Sequence, residues 1–243
     1  MVTTDANLPV NTIPGMELLV ANTSGMVAGD TAIVETFDRG GQEPAVGDTY
    51  YVSYTYTKDA SAFAVAGLFT SMQAVERNYG PITPDYPVSL GAYLAFQNGA
   101  VIVGIKQLPK EAGSNQASLA SYEAGLNSIR GNLNGVILDI IVPLQNDLVL
   151  FQMIKRHVEL QSSIRYKAER TAILGVHAGT QPSEVGSIAQ ALHSERVSIL
   201  YPDILSVALT DALGNQRVFL VDGPYAAAAF AGVRCATDVD VAT

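Results

Sequence analysis

A chain of 243 residues with 48% hydrophobic and only 15% charged residues has the composition of a globular protein and excludes a disordered one. Fourteen Lys and Arg against twenty-three Asp and Glu leave a net charge of −9, which disfavours nucleic acid and other polyanions, since phosphate contacts need clustered cations. A single cysteine, Cys235, excludes an internal disulfide framework and fits a reducing compartment. The start, "MVTTDANLPVNTIPG", has neither the basic opening nor the apolar run of a secretory signal. Apolar stretches are broken early, as by Asp139 in "VILDIIVPL", so no membrane span is expected and the protein is read as soluble.

Residues 1–60 lack helical periodicity. "TAIVETF" (31–37) and "TYYVSYTY" (49–56) are β-branched and aromatic around the turn material "DRGGQEPAVGD", which predicts a small antiparallel β unit. In its second run Tyr50, Val52, Tyr54 and Tyr56 alternate with Tyr51, Ser53 and Thr55. With Lys58 as the only adjacent cation, these tyrosines read as cross-strand packing, not a base-stacking platform.

An α/β domain is predicted over residues 61–243. "FTSMQAVERNYG" reads as a short helix stopped by Gly80-Pro81, and "VSLGAYLAFQNG" (88–99) as a second helix left through Asn98-Gly99. "AVIVGI" (100–105) reads as a strand, followed by a loop and a helix marked by Leu119, Tyr122, Leu126 and Ile129. "GVILDIIVPL" (135–144) is expected to be one buried strand. Asn146 or Asp147 then caps a long helix turning Phe151, Ile154 and Val158 inward. "TAILGVHA" (171–178) is a strand, and the helix near 182–193 places Val185, Ile188, Ala189 and Leu192 on one face. "RVSILYPD" (196–203) is a further strand. "ILSVALTD" and "QRVFLVDG" flank "ALGN" as a hairpin, expected to add an antiparallel edge. The last helix enters through Asp222-Gly223-Pro224 and carries alanine at 226–229 and 231, which permits close approach of a neighbour. Apolar strands alternating with helices predict a mostly parallel sheet covered on both faces.

The ends of such strands are where chemistry is sought. After "TAILGV" the loop "HAGTQPSE" has neither GxGxxG nor a Gly-Lys-Ser/Thr phosphate loop, and near Ser183 helix capping is favoured over phosphate binding. His157, His177 and His193 fit no zinc spacing. His157 lies beside a buried stripe and reads as structural, and His193 falls in the last turn of a helix, where a cation is favoured. His177 is the one histidine to test for catalysis, with Asp139 as its conceivable partner, although Asp139 is read first as a structural carboxylate at the sheet rim or on backbone amides. No GxSxG elbow and no cysteine–histidine arrangement is present. No catalytic, cofactor-binding or metal residue is therefore assigned.

The ordered segments resemble a known family. "VERNYGPITPDYPVSLGAYLAFQNGAVIVGIKQL" (75–108), "SYEAGLNSIRGNLNGVILDIIVPL" (121–144), "ERVSILYPD" (195–203) and "VDGPYAAAAFAGVRCAT" (221–237) are similar, in order and spacing, to segments of bacteriophage contractile tail sheath proteins. The likeness covers roughly residues 49–237. It departs from the family in having no recognisable Pro-Gly-Val-Tyr opening before residue 49 and no C-terminal assembly domain after Thr243. The resemblance implies a non-enzymatic structural subunit without cofactors, found in the virion tail and in the host cytoplasm during assembly. Its partners would be other sheath subunits in hexameric rings of a helical array, the tail tube and the baseplate, with no nucleic acid and no membrane. It further implies that this chain is a fragment or isolated domain of a longer subunit and is monomeric by itself. The alternatives are an α/β enzyme or nucleotide-binding domain using the loop after 171–178, or the sheath of a pyocin-like or type VI secretion machine.

Overall fold

A computed structural model describes residues 31–34, 54–57, 66–111, 113–114, 116–210 and 216–237. The chain divides into two compact units, Met1–Ala64 and Val65–Thr243. In the first, β1 (Thr31–Val34) pairs antiparallel with β2 (Tyr54–Thr57), with Val34 opposite Tyr54 and Thr31 opposite Thr57. Tyr50, Tyr51, Val52 and Lys58 lie outside the described residues.

The second unit opens with β3 (Gly67–Phe69), a strand the sequence reading did not anticipate, which pairs antiparallel with β4 (Val103–Ile105). Between them run helices α1 (Met72–Tyr79) and α2 (Pro87–Gln97). Gly80 ends α1 at φ 97°, a backbone conformation that a side chain strains. Pro87 opens α2, where its missing N–H costs nothing, and the Asn98 side chain donates to the Leu94 carbonyl at 2.8 Å to close it. The strand foreseen over 100–105 is shorter than expected, with Val101 and Ile102 exposed ahead of β4.

Helix α3 (Leu119–Ser128) follows, capped by Ser118, whose hydroxyl accepts the Ser121 N–H at 3.1 Å. Leu126 is buried and Tyr122 and Ile129 are partly so, but Leu119 is exposed. The single buried strand expected over 135–144 is broken. Asn134 and Gly135, at φ 49° and 83°, fold β6 (Val136–Ile137) back onto β5 (Asn132–Leu133). An Asn-Gly pair with two positive φ values is the turn that tight hairpins favour. Only β7 (Ile140–Ile141), beyond Leu138 and Asp139, joins the main sheet.

That sheet is parallel, in the order β7–β8–β9, with β8 at Thr171–Gly175 and β9 at Val197–Leu200. The crossovers are α4 (Leu148–Gln161) and α5 (Pro182–Leu192). Asp147 caps α4 by accepting the Val149 and Leu150 N–H groups at 2.8 and 3.0 Å. Alternation along β8 divides its side chains between two cores. Ala172 and Leu174 meet Leu150, Phe151, Ile154 and Val158 of α4 and Leu192 of α5, while Ile173 meets the final helix. Helices thus cover both faces, which is why β8 reads as an unbroken apolar run. Ala189, expected inward on α5, is exposed, and Leu192 is that helix's one buried residue.

The hairpin β10 (Ile204–Thr210) and β11 (Gln216–Asp222) forms its own two-stranded antiparallel sheet and not an edge of the parallel one. Its "ALGN" turn lies outside the described residues. The reason for the separation is amphipathic patterning. Val207, Leu209 and Val221 point inward onto Leu90 and Leu94 of α2, whereas their neighbours point out. Asp222 passes without a loop into α6 (Gly223–Ala236).

Candidate functional site

The loop at the carboxyl end of β8 holds the histidine singled out for chemistry. His177 is exposed, with Nδ1 2.8 Å from the Ala178 carbonyl, and its own carbonyl accepts from the Thr180 backbone N–H and hydroxyl at 3.2 and 2.7 Å. Two amides that an anion would seek are already occupied by the chain's own carboxylates. Asp203 Oδ2 accepts the Gly179 N–H at 2.7 Å, and Glu184 Oε2 accepts the Gln181 N–H at 2.9 Å. Ser183 is exposed on the first turn of α5, where Glu184 complements the helix dipole and the Gln181 amide is capped. His193 closes α5 as an exposed left-handed C-cap at φ 40°.

Asp139 is exposed and sits at the opposite end of the sheet. Its carbonyl accepts the Thr171 N–H at 2.8 Å, which places it level with the start of β8. His177 lies beyond the finish of that strand, so at about 3.3 Å per residue the two are separated by roughly 15 Å or more. Proton transfer between them has no geometric basis, and the rim position expected for Asp139 is the one found.

The polar centre of the unit is elsewhere, around Arg170, which is 1% exposed. Sequence reading passed over it; the signal was an arginine immediately ahead of a buried apolar strand. Its Nη1 donates to the Ile129 carbonyl at 2.7 Å and lies 3.0 Å from His157 Nε2, and Nη2 donates to the Gly131 carbonyl. Gln161 Oε1 accepts the Gly131 N–H at 2.8 Å, and the Ser162 hydroxyl bridges the Arg170 backbone, accepting its N–H at 2.9 Å and donating to its carbonyl at 3.2 Å. One guanidinium therefore joins the exit of α3, the approach to β5, the face of α4 and the start of β8. His157 is the satisfied structural histidine expected, because Arg170 requires an unprotonated Nε2 as acceptor.

That arrangement makes His157 pH-sensitive. Burial first, then the positive charges of Arg170 and Arg130, depress it from the ordinary 6.5 to about 4. The folded state thus refuses a proton that the unfolded chain accepts between these values. Stability from this site is complete above pH 6.5 and is lost as the pH falls toward 4. The loss is about 2–3 kcal/mol between pH 7 and 4.5. In His157→Gln, which retains an acceptor but does not titrate, urea unfolding at the two pH values should show that much less acid sensitivity. An unchanged difference between wild type and variant across this range would refute the assignment.

The most closely packed junction belongs to α6. A Cβ on Gly175 of β8 would fall on the Gly223 carbonyl and the Pro224 nitrogen, and one on Gly232 would fall on the Ala95 carbonyl of α2. Ala227 and Ala231 contact Ile173, and Ala226 and Ala228 are buried as well. The alanine face is sandwiched between helix and sheet, so backbones approach where side chains are missing. Beside it a largely aliphatic groove of about 840 Å³ runs between α2, α6 and the segment 136–146, with Val88, Val103, Leu138 and Cys235 among its walls. Burial first, then Asp139, pushes the Cys235 thiol up, away from reactive thiolate.

Among the described residues no group of three or more His, Cys, Asp or Glu is placed to hold a metal ion, and no helix is long and apolar enough to cross a membrane. No family model matches the chain, and no curated protein matches it.

Proposed function

We propose that this chain is a structural subunit of a bacteriophage contractile tail sheath, stacking in rings around a tail tube and driving it through the host envelope on contraction. The observation that carries the reading is the seating of α6. The closing small-residue helix, one of the segments that resemble the family, is gripped by α2 on one side and by β8 on the other. A subunit that transmits force must be a stiff body whose energy lies at its boundaries, and close-packed interiors resist deformation. The helices on both sheet faces and the four-way Arg170 junction supply stiffness of that kind.

The test is immunogold electron microscopy of tailed particles with antibodies against this chain. Gold spaced regularly along the tail shaft is the expected result. Labelling confined to other parts, or absent from particles, overturns the proposal. The competing enzyme or nucleotide-binding reading makes its own prediction, a thermal shift with nucleotides that His177→Ala abolishes. The two occupied amides of that loop argue against such a shift.

A further inference from the structure

The chain holds two Asn-Gly pairs, Asn98-Gly99 and Asn134-Gly135, and the fold treats them differently. Asn-Gly is open to one covalent reaction in particular, because glycine has no side chain to shield its nitrogen from the asparagine amide. At the first pair both reacting groups are engaged. The Asn98 amide donates to the Leu94 carbonyl at 2.8 Å, and the Gly99 N–H donates to the Phe96 carbonyl at 3.1 Å. A Cβ on Gly99 would fall 2.5 Å from the Ala236 methyl, so α6 presses on this backbone as well. At Asn134-Gly135 neither group is held. Both residues are exposed, and among the described residues the Asn134 amide and the Gly135 N–H donate to nothing. Nothing lies within 4 Å of the position a Cβ on Gly135 would take. The strands this pair joins, β5 and β6, are only two residues long, and a ladder that short opens locally at little cost.

We infer that Asn134 is a site of spontaneous deamidation in the folded protein, and that its isoaspartyl product undoes the β5–β6 turn. The inference is independent of the sheath reading. When the turn opens and base removes the Gly135 amide proton, that nitrogen attacks the Asn134 Cγ. A carbon–nitrogen bond forms, the bond from Cγ to Nδ2 breaks, and Nδ2 leaves as ammonia. Water then opens the succinimide at one carbonyl or the other, giving isoaspartate or aspartate; nothing is oxidised or reduced. Aspartate keeps the turn, since Asp-Gly suits the same two-residue hairpin as Asn-Gly. Isoaspartate routes the main chain through the side-chain carbon and lengthens it by a methylene, so Leu133 and Val136 no longer meet across the turn. Leu133 is buried, and the Gly131 carbonyl just ahead of β5 accepts from Arg170. A reaction at the surface thereby loosens the polar junction beneath it.

The test holds purified protein at mildly alkaline pH in heavy-oxygen water, folded or in urea, and sequences its peptides by mass spectrometry. In urea both asparagines should convert at similar rates, each taking up heavy oxygen as the succinimide is hydrolysed. In the folded protein Asn134 should convert several-fold faster than Asn98. Equal rates at the two sites in the folded protein, or no conversion at Asn134 while the unfolded chain converts, overturn the inference. The isoaspartyl form, separated by chromatography, should unfold at a lower temperature than Asn134→Asp, which adds the same charge to an unaltered backbone. Identical midpoints for the two sink the effect on the turn.

Discussion

Gly175→Ala should lower the midpoint of thermal unfolding by about 6 °C or more, corresponding to about 3 kcal/mol for a chain of this size. The added methyl meets the Gly223 carbonyl carbon and oxygen and the Pro224 nitrogen, all backbone atoms that open α6. A flexible side chain could swing away; a helix terminus that opens Gly223-Pro224 can yield only by moving its backbone as a whole. Such movement would part Ala227 and Ala231 from Ile173 and Gly232 from the Ala95 carbonyl, so the cost spreads along the junction. Gly186→Ala is the internal control. That glycine lies within α5, with nothing near the position its Cβ would take. Alanine there should stabilise by about 0.5–1 kcal/mol through helix propensity alone. Equal effects from the two substitutions, read by calorimetry, would refute close backbone packing at Gly175.

The sequence made that junction half visible. Consecutive alanines in the last helix announced a close neighbour, but their pattern does not say which, because α2 and β8 are remote in the chain. Gly175 inside a buried strand carried the complementary signal, since a strand glycine often marks backbone approach. Local patterning located the helices well: Asp147 before a 3.6-residue stripe, Gly80-Pro81 after one, and Asn98-Gly99 after another are signals complete in a few residues. The alternation of apolar strands with helices likewise foretold an α/β unit covered on both sheet faces. Strand continuity was less legible. "GVILDIIVPL" reads as one apolar run apart from Asp139, yet the Asn134-Gly135 turn ahead of it pairs Val136–Ile137 back onto β5, and only Ile140–Ile141, beyond Leu138 and Asp139, joins the main sheet. The hairpin 204–222 was recognisable as a hairpin, but its membership of a sheet depends on what its inner face meets, and Leu90 and Leu94 lie more than a hundred residues earlier. The weakest signal was Arg170. A charged residue before a strand ordinarily remains in water, and only the three-dimensional convergence of two carbonyls with a histidine draws it inside.

Arg170→Met is the second substitution expected to have a large effect, a loss of about 3–5 kcal/mol in urea unfolding at neutral pH. Buried charges are often replaceable by apolar side chains of similar volume when their partners are replaced with them. That route is closed here. Two of the acceptors are the backbone carbonyls of Ile129 and Gly131, which no substitution removes, and each, partly shielded from water, would lose its donor at about 1–3 kcal/mol. The third acceptor, His157, would lose both its hydrogen bond and part of the charge that depresses its pKa, so Arg170→Met should also reduce the acid sensitivity of the fold. Arg170→Lys separates charge from geometry. An ammonium restores the positive charge but has no planar fork to reach two carbonyls and an imidazole together, so it should recover less than half of the loss. In a His157→Leu background the effect of Arg170→Met should shrink by about 1 kcal/mol, the coupling expected of residues in direct contact. Stability of Arg170→Met within about 0.5 kcal/mol of wild type, the usual range for a surface substitution, would mean that the guanidinium does not join α3, α4 and β8.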